Sequence, residues 1–379
     1  MKIKYNTKDP NWIKRVEDLG YGYHTDNQTP YWIDHYHFSI TDYFAEKIYA
    51  ATAELWQMCL HAVEHVIEHK KYDIFHIPKY IQHHIERSWE NDVPSIYGRF
   101  DFAYDAEKQQ LKMLEFNADT PTSLFECGVV QWHWKEHFFG SGKDQFNSVH
   151  EQLIQSWTDL KPYLKGNILH FTCIQESLED LTNTEYLRDT AIQAGINTKL
   201  VYIEDLGWNG RCFVDLEGEE INSIFKLYPW EWMVHEEFGI NLVNDSNEAQ
   251  WIEPSWKMIL SNKAILAILW ELYPHHPLLL ETYIGTPNGM TNYVKKPLLS
   301  REGANISFVV NKSEIYNTEG DYGSEGFVYQ KLAQLHKEET GFTIIGSWII
   351  GQEPCGITFR ESDYPITTDK SRFIPHIIE

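Results

Sequence analysis

The sequence predicts a mixed α+β and α/β fold, and three observations carry that prediction. Residues 95–122 alternate in polarity with period two on either side of a polar break, the pattern of two strands joined by a hairpin loop. A strand, helix, strand run occupies 167–206. Between Ser39 and Tyr72, apolar residues recur in steps of three and four at Phe44, Ile48, Ala51, Leu55, Cys59, Val63 and Val66, which marks a long amphipathic helix. With 379 residues, 42% of them hydrophobic, the chain can bury a substantial core, and its length predicts two or three compact units.

In chain order, Thr41 or Ser39 supplies a cap for the long helix, and a second helix is expected over 77–89. Next comes the hairpin. Its first segment puts Tyr97, Arg99 and Asp101 on one face and Ile96, Gly98, Phe100 and Phe102 on the other. Its second puts Leu111, Met113, Glu115 and Asn117 opposite Lys112, Leu114, Phe116 and Ala118, so that Phe100, Phe102, Leu114 and Phe116 form the expected core face. Residues 132–164 read as helical, with Leu153, Ile154, Trp157 and Leu160 inward. The run 167–174 reads as a buried strand, 182–195 as a helix ended by Gly195, and 199–206 as a strand parallel to the first. Residues 213–227 read as another hairpin turning at Glu217-Gly-Glu-Glu, and a helix is expected near 262–272. Strands follow at 293–297, 327–332, 341–350 and 354–359. The loop 318–326 has the most flexible composition.

Composition narrows the function classes. The longest apolar runs, 263–272 and 342–350, fall far short of the roughly 20 residues needed to cross a bilayer, so no membrane partner is expected. The first residues lack an apolar signal core, and the expected location is the cytoplasm. Five scattered cysteines have no short Cys-x-x-Cys spacing, which argues against a disulfide framework or a zinc knuckle. Cys127, next to Glu126, has no base visible nearby that would make it a nucleophile. A formal net charge of −23 argues against nucleic acid as the main partner and favours cationic ligands such as polyamines, although it also serves plain solubility.

If the hairpin strands pair, Asp101, Glu115 and Asn117 converge as oxygen donors beside Arg99. Hard divalent cations such as magnesium take that donor set, usually together with phosphates. A solvated charged face has the same pattern. Lys296 ends a strand and precedes a small-residue loop, Ser300-Arg-Glu-Gly-Ala-Asn, of the kind whose backbone N–H groups bind phosphate. Lys263 opens the helix near 262–272, Tyr329-Gln330 ends an apolar strand able to face an adenine edge, and Arg360 stands at the end of the last hairpin. Taken singly, each has an ordinary structural explanation.

Their order is more specific. Tyr97-Gly-Arg-Phe-Asp, Leu114-Glu-Phe-Asn-Ala-Asp-Thr-Pro, Lys296-Pro-Leu-Leu-Ser-Arg-Glu-Gly-Ala-Asn-Ile, Gly346-Ser-Trp and Gly356-Ile-Thr-Phe-Arg-Glu resemble the synthetase region of bacterial glutathionylspermidine synthases. The resemblance runs from about Gly20 almost to the C-terminus and is greatest to stand-alone homologues without the amidase domain. It implies an ATP-grasp fold, with two α+β lobes holding ATP and an additional α/β subdomain on the substrate side. The expected segments are 1–165, the N-terminal helical region with the hairpin; 166–260, the substrate-side subdomain; and 261–379, the nucleotide-binding lobe. The resemblance also implies magnesium ligation by Asp101, Glu115 and Asn117, with Arg99 contacting ATP and stabilising the transition state. Lys263 and Lys296 are implied to bind the nucleotide phosphates, Gly303 to lie in the covering loop, Gln330 to sit by the adenine, and Arg360 to approach the phosphates and the acyl group. Glu231 corresponds to a substrate-side acid.

The implied reaction joins a peptide-like carboxylate to an amine, polyamines included, with ATP and magnesium, through an acyl phosphate. Two other readings stand beside it. One is a magnesium-ATP-binding scaffold or sensor without turnover; the other is a glycoside hydrolase using Asp101 and Glu115 as its carboxylate pair.

Overall fold

The computed structural model describes residues 1–26, 29–366 and 371–379. At its centre is an antiparallel sheet whose strands run, side by side, Arg372–Ile374, Glu353–Ser362, Gly341–Ile350, Tyr97–Asp105 and Gln110–Asn117, with His336–Glu338 paired to the start of Gly341–Ile350. The predicted hairpin therefore forms. Its partner lies more than 200 residues downstream, so segments 1–165 and 261–379 share one sheet.

Each face of this sheet is covered differently. On one face lies the helix Asp42–Glu68, capped as expected by Thr41, whose hydroxyl accepts from the Phe44 N–H. Its apolar stripe packs on Phe100, Phe102, Phe116, Ile345 and Phe359, and the Phe100 and Phe116 rings stack at 3.9 Å. Ser39 belongs instead to the strand Tyr36–Ile40, which pairs with Lys2–Tyr5 and His376–Ile378. The second helix spans Lys79–Glu90.

The other face is divided. At one end Tyr97 and Trp348 stack at 6.2 Å beneath a second core built on Trp157, Phe171 and Phe225. Two residues along the same face, Arg99 and Asp101 leave that core and enter a cleft. A four-stranded parallel sheet, ordered Gln250–Ile252, Ser223–Leu227, Leu169–Cys173 and Thr198–Leu200, supplies the second core. Just beyond Ile252, the Glu253 carboxylate accepts from the N–H groups of Ile96 and Tyr97 (2.9 and 3.1 Å) and from buried Lys257 (2.7 Å). This fixes the entry of the Arg99 strand against the parallel sheet. A five-stranded antiparallel sheet closes the remaining side, ordered Thr282–Ile284, Phe327–Lys331, Tyr293–Pro297, Ser307–Val310 and Ser313–Asn317.

Several expectations need correction. The hairpin register shifts between Asp101 and Phe102, which pair with Glu115 and Met113, so Leu114 is an extra residue in a bulge. Glu115 and Asn117 keep the predicted face, but Leu111 and Met113 turn into the core while Leu114 faces the cleft. The hairpin expected over 213–227 is confined to 213–221, where Val214 bridges Glu220 in antiparallel fashion across the Glu217-Gly-Glu-Glu turn and the Ile221 N–H donates to the Phe213 carbonyl (2.9 Å). Phe213–Val214 pairs with Gly207–Trp208, and Ser223–Leu227 is an inner parallel strand, buried along its whole length as parallel strands require. The helical run 132–164 breaks into Gln131–Phe139 and Val149–Leu160 because Gly140 adopts φ +56°, where a continuing helix cannot go. The strand expected over 199–206 lasts only through Thr198–Leu200 and gives way to a short turn at Ile203–Asp205. The helix between the parallel strands starts earlier than predicted, at Leu178, with Ser177 capping it by accepting from the Asp180 N–H.

Candidate active site

The cleft has a volume of about 290 Å³ and lies where the hairpin, the five-stranded sheet and the parallel sheet meet. All the residues singled out from sequence line it: Arg99, Asp101, Glu115, Asn117, Glu231, Lys263, Lys296, Gly303, Gln330 and Arg360. Strand geometry explains the convergence on the hairpin side. Cross-strand pairs set Arg99 opposite Asn117 and Asp101 opposite Glu115, on the face away from the long helix.

Arg99 is held on three sides. Its Nε and Nη2 donate to the two carboxylate oxygens of Asp101 (2.7 and 3.0 Å), Nη1 donates to the Thr122 carbonyl (2.7 Å), and the guanidinium lies over the Trp348 ring at 5.7 Å. Burial disfavours its charge, but Asp101 more than compensates, so its pKa rises. Asn117 also donates to Asp101 (3.0 Å). Gly346, paired to Asp101 on the next strand, leaves room for this arrangement. A Cβ there would lie 2.3 Å from Thr358 Oγ1 and 3.0 Å from Arg99 Cδ.

Opposite stands a charged trio. Lys263 Nζ lies 3.5 Å from Glu115 Oε2 and donates to the Ser300 carbonyl (2.6 Å), and Lys296 Nζ donates to the Leu114 carbonyl (3.0 Å). Burial alone disfavours the Glu115 charge, yet Lys263, Lys296 and Arg99 outweigh it and hold its pKa at about 2. Burial pushes Lys296 down to about 8, Lys263 adds to the shift, and Glu115 opposes it. A glycosidase pair needs one protonated carboxyl. With Glu115 held at about 2 and Asp101 bound at both oxygens by Arg99, the geometry argues against that reading.

The remaining predicted residues frame the cleft. Gly303 follows Glu302 in a loop where both have positive φ, +52° and +70°, and the loop is tied down by Thr318 Oγ1 donating to the Gly303 carbonyl (2.5 Å). Gln330 is buried on an inner strand between Val294 and Thr282. Arg360 donates to the Ser371 carbonyl (3.2 Å) and to Ser123 Oγ (3.3 Å) and lies over the Tyr31 ring at 5.2 Å. The carboxylate of Glu231 is paired with Arg301, Nη2 to Oε1 at 2.6 Å.

Sequence reasoning passed over four groups. Arg301 joins Glu231 to Thr120 at 2.6 Å. Lys226 and Asp119, both fully buried, pair at 2.6 Å beneath the cleft. Ser123, held at φ +70°, bridges Arg360 and Tyr31. Glu126, fully buried behind Tyr31, is the fourth, and its signal was a single acid inside Leu124-Phe-Glu-Cys-Gly-Val-Val. Cys127 itself is buried, and its thiol pKa is pushed up by burial, which leaves it inert.

Oxygen donors from two carboxylates and an amide fit a hard cation that shares its shell with phosphates. Among the described residues no three His, Cys, Asp or Glu side chains cluster as a self-sufficient metal site.

Comparison with known proteins decides the family. Residues 3–379 match the family described as glutathionylspermidine synthase, preATP-grasp. The chain belongs to the glutathionylspermidine synthase family. It is 39% identical to a Haemophilus influenzae protein provisionally named an acid–amine ligase, covering 97% of this chain and 96% of that one. It is 29% identical to the trypanothione synthetase of Crithidia fasciculata and 28% identical to the bifunctional glutathionylspermidine synthetase/amidase of Escherichia coli, covering 88% and 98% of this chain. The chain spans 52% and 64% of those two relatives' lengths. In fold it is similar to a glutathione synthetase-like effector of Globodera pallida, with a TM-score of 0.56, 10% identity and coverage of 90% of this chain and 89% of that one. Among the described residues no helix is long and apolar enough to cross a membrane.

Proposed function

We propose that this family member is an ATP-dependent carboxylate–amine ligase of the ATP-grasp type that forms an amide through an acyl phosphate. The observation that carries the reading is the cleft itself, which sets Arg99, Lys263, Lys296 and Arg360 around the oxygen donors Asp101, Glu115 and Asn117. Phosphoryl transfer to a carboxylate needs positioned positive charge and no protein nucleophile, and this constellation supplies the charge. On this reading segment 261–379 carries the nucleotide side, with Gln330 by the adenine, Lys263 and Lys296 on phosphates and the Gly303 loop above them. Segment 166–260 is then the substrate side. Asp101, Glu115 and Asn117 would hold magnesium, which when bound would neutralise phosphate charge.

The carboxylate oxygen attacks the γ-phosphorus and ADP leaves. Nitrogen of the amine then attacks the acyl carbon, the C–O bond to phosphate breaks, and phosphate leaves. Arg99, rigidly held by Asp101 and Thr122, is the donor aimed at the oxygen that becomes negative in the tetrahedral adduct. Glu179, Asp180 and Glu231 also line the cleft, and this acidic lining suits a cationic amine. Burial, then Glu179, raises Asp180 to about 6. That relatives are a trypanothione synthetase and a glutathionylspermidine synthetase/amidase supports a peptide-like acid and a polyamine as the substrate classes.

The test is ADP release from ATP and magnesium across a panel of acids and amines, repeated with Arg99→Ala. The ligase gives release that depends on both substrates and falls by about 10²–10³ in the variant. Protein that binds magnesium-ATP but releases no ADP with any pair would be the scaffold instead.

A further inference from the structure

Glu126 is a buried acid that the ligase reading leaves without a task. Its side chain is fully buried in the short helical turn Glu126–Val130. Two phenols donate to it, Tyr31 Oη to Oε1 at 3.0 Å and Tyr23 Oη to Oε2 at 3.1 Å. Tyr31 alone of this pair lines the cleft, where its ring lies under Arg360 and its hydroxyl meets Ser123 Oγ at 3.1 Å. A continuous hydrogen-bonded path thus runs from the cleft wall, beside Arg360, to a carboxyl group shielded from water.

We propose that Tyr31 and Glu126 form a proton relay that deprotonates the ammonium group of a polyamine entering the cleft. The inference rests on the ligase reading. A primary amine is protonated near neutral pH and has no lone pair with which to attack an acyl phosphate. In the relay the ammonium gives a proton to Tyr31 Oη, whose own proton passes to the Glu126 carboxylate. The freed nitrogen attacks the acyl carbon, the C–N bond forms, and the C–O bond to phosphate breaks with its electron pair leaving on phosphate. The second nitrogen proton departs with that phosphate. Tyr31 touches the substrate; Glu126 acts through it.

The surroundings tune the acceptor for this role. Burial, then the neighbouring charge of Glu179, raises the Glu126 pKa to about 7, while Tyr31 and Arg360 hold it from rising further. Tyr21 and Cys127 also face it, and both are neutral because burial pushes their pKa values up. Glu126 can therefore take and release a proton near neutral pH.

Hydroxylamine separates the steps, because it is already largely neutral near pH 7 and traps an acyl phosphate as hydroxamate without deprotonation. With glutathione as the acid, Glu126→Gln is expected to lower spermidine amide formation about 10²-fold while hydroxamate formation is unchanged. The neutral limb of the wild-type pH profile for spermidine also disappears. Tyr31→Phe, which keeps the ring under Arg360, gives the same split and carries the test if the Gln variant fails to fold. Equal rates with both nucleophiles, equal losses with both, or wild-type protein that makes hydroxamate but no spermidine amide would each overturn the relay. Absence of any ATP-dependent hydroxamate counts against the ligase reading itself.

Discussion

Replacing Lys226 with methionine tests a fully buried charge pair under the cleft. Lys226 and Asp119 have no solvent exposure, and Nζ meets Oδ1 at 2.6 Å. Lys226 also donates to the Tyr228 carbonyl (2.8 Å) and lies 4.7 Å from the Trp230 ring centre, while Asp119 Oδ2 accepts from the Trp230 N–H (2.9 Å). Lys226→Met leaves Asp119 buried with that one N–H donor, and losing one partner of such a pair costs about 3–5 kcal/mol. Asp119→Asn costs less. Burial already lowers the Lys226 pKa against the pull of Asp119, so without Asp119 the lysine sheds its proton and the buried charge vanishes. The double variant recovers at least half of the Lys226→Met loss, since no uncompensated charge remains. Urea unfolding followed by tryptophan fluorescence reads the cycle, because Trp230 touches both partners. A Lys226→Met protein within about 1 kcal/mol of wild type, or an Asp119→Asn loss equal to it, would refute the reasoning.

Other predictions follow from the same cleft. Gly346→Ala brings a methyl group against Thr358 and the Arg99 stem, and it is expected to lower turnover at least about tenfold while urea unfolding shows the sheet intact. Nucleotide phosphate beside Lys296 raises a pKa now near 8, so ATP binding takes up protons at pH 8 but not at pH 6; calorimetry in buffers of different ionisation heat measures this. Glu115 is depressed to about 2 from an ordinary value of 4.5, so its contribution to stability is complete above pH 4.5 and is lost as pH falls toward 2; Glu115→Gln removes that part of the acid slope. Glu126 shifts the opposite way, favouring the fold below pH 4.5 and losing that advantage as pH rises through about 7. The Gln variant therefore loses less stability over that interval.

Legibility followed periodicity. The hairpin could be read because Arg99, Asp101, Glu115 and Asn117 alternate with core aromatics, and that alternation placed all four on the cleft side. The bulge at Leu114 could not, since leucine suits either face and nothing in the chain marks the extra residue. Glu217-Gly-Glu-Glu is a strong turn signal that makes 223–227 read as a hairpin arm, and the turn does form, but its return arm ends at Ile221. Ser223–Leu227 instead pairs in parallel with Leu169–Cys173, a partner that no local pattern announces. Lys226 was missed for the same reason: its carboxylate partner is 107 residues upstream, and only a charge within the apolar run Ser223-Ile-Phe-Lys-Leu hinted that a partner was needed.

The charged trio explains how two lysines can stand side by side in the cleft. Burial disfavours the Lys296 charge, and the neighbouring charge of Lys263 disfavours it further. Glu115 stands against both, and they are what holds its pKa down against burial. In the proposed ligase, nucleotide phosphates compete with Glu115 for the two lysines, and the carboxylate they release is the one that would face magnesium. Glu115→Gln should therefore separate two effects that a simple ligand role would merge. It weakens magnesium-dependent turnover, yet it leaves the lysines without a resident anion and so tightens binding of metal-free inorganic triphosphate. Titrating triphosphate in the presence of a chelator reads the second effect alone, and weaker binding by the Gln variant would mean that Glu115 does not occupy the phosphate position.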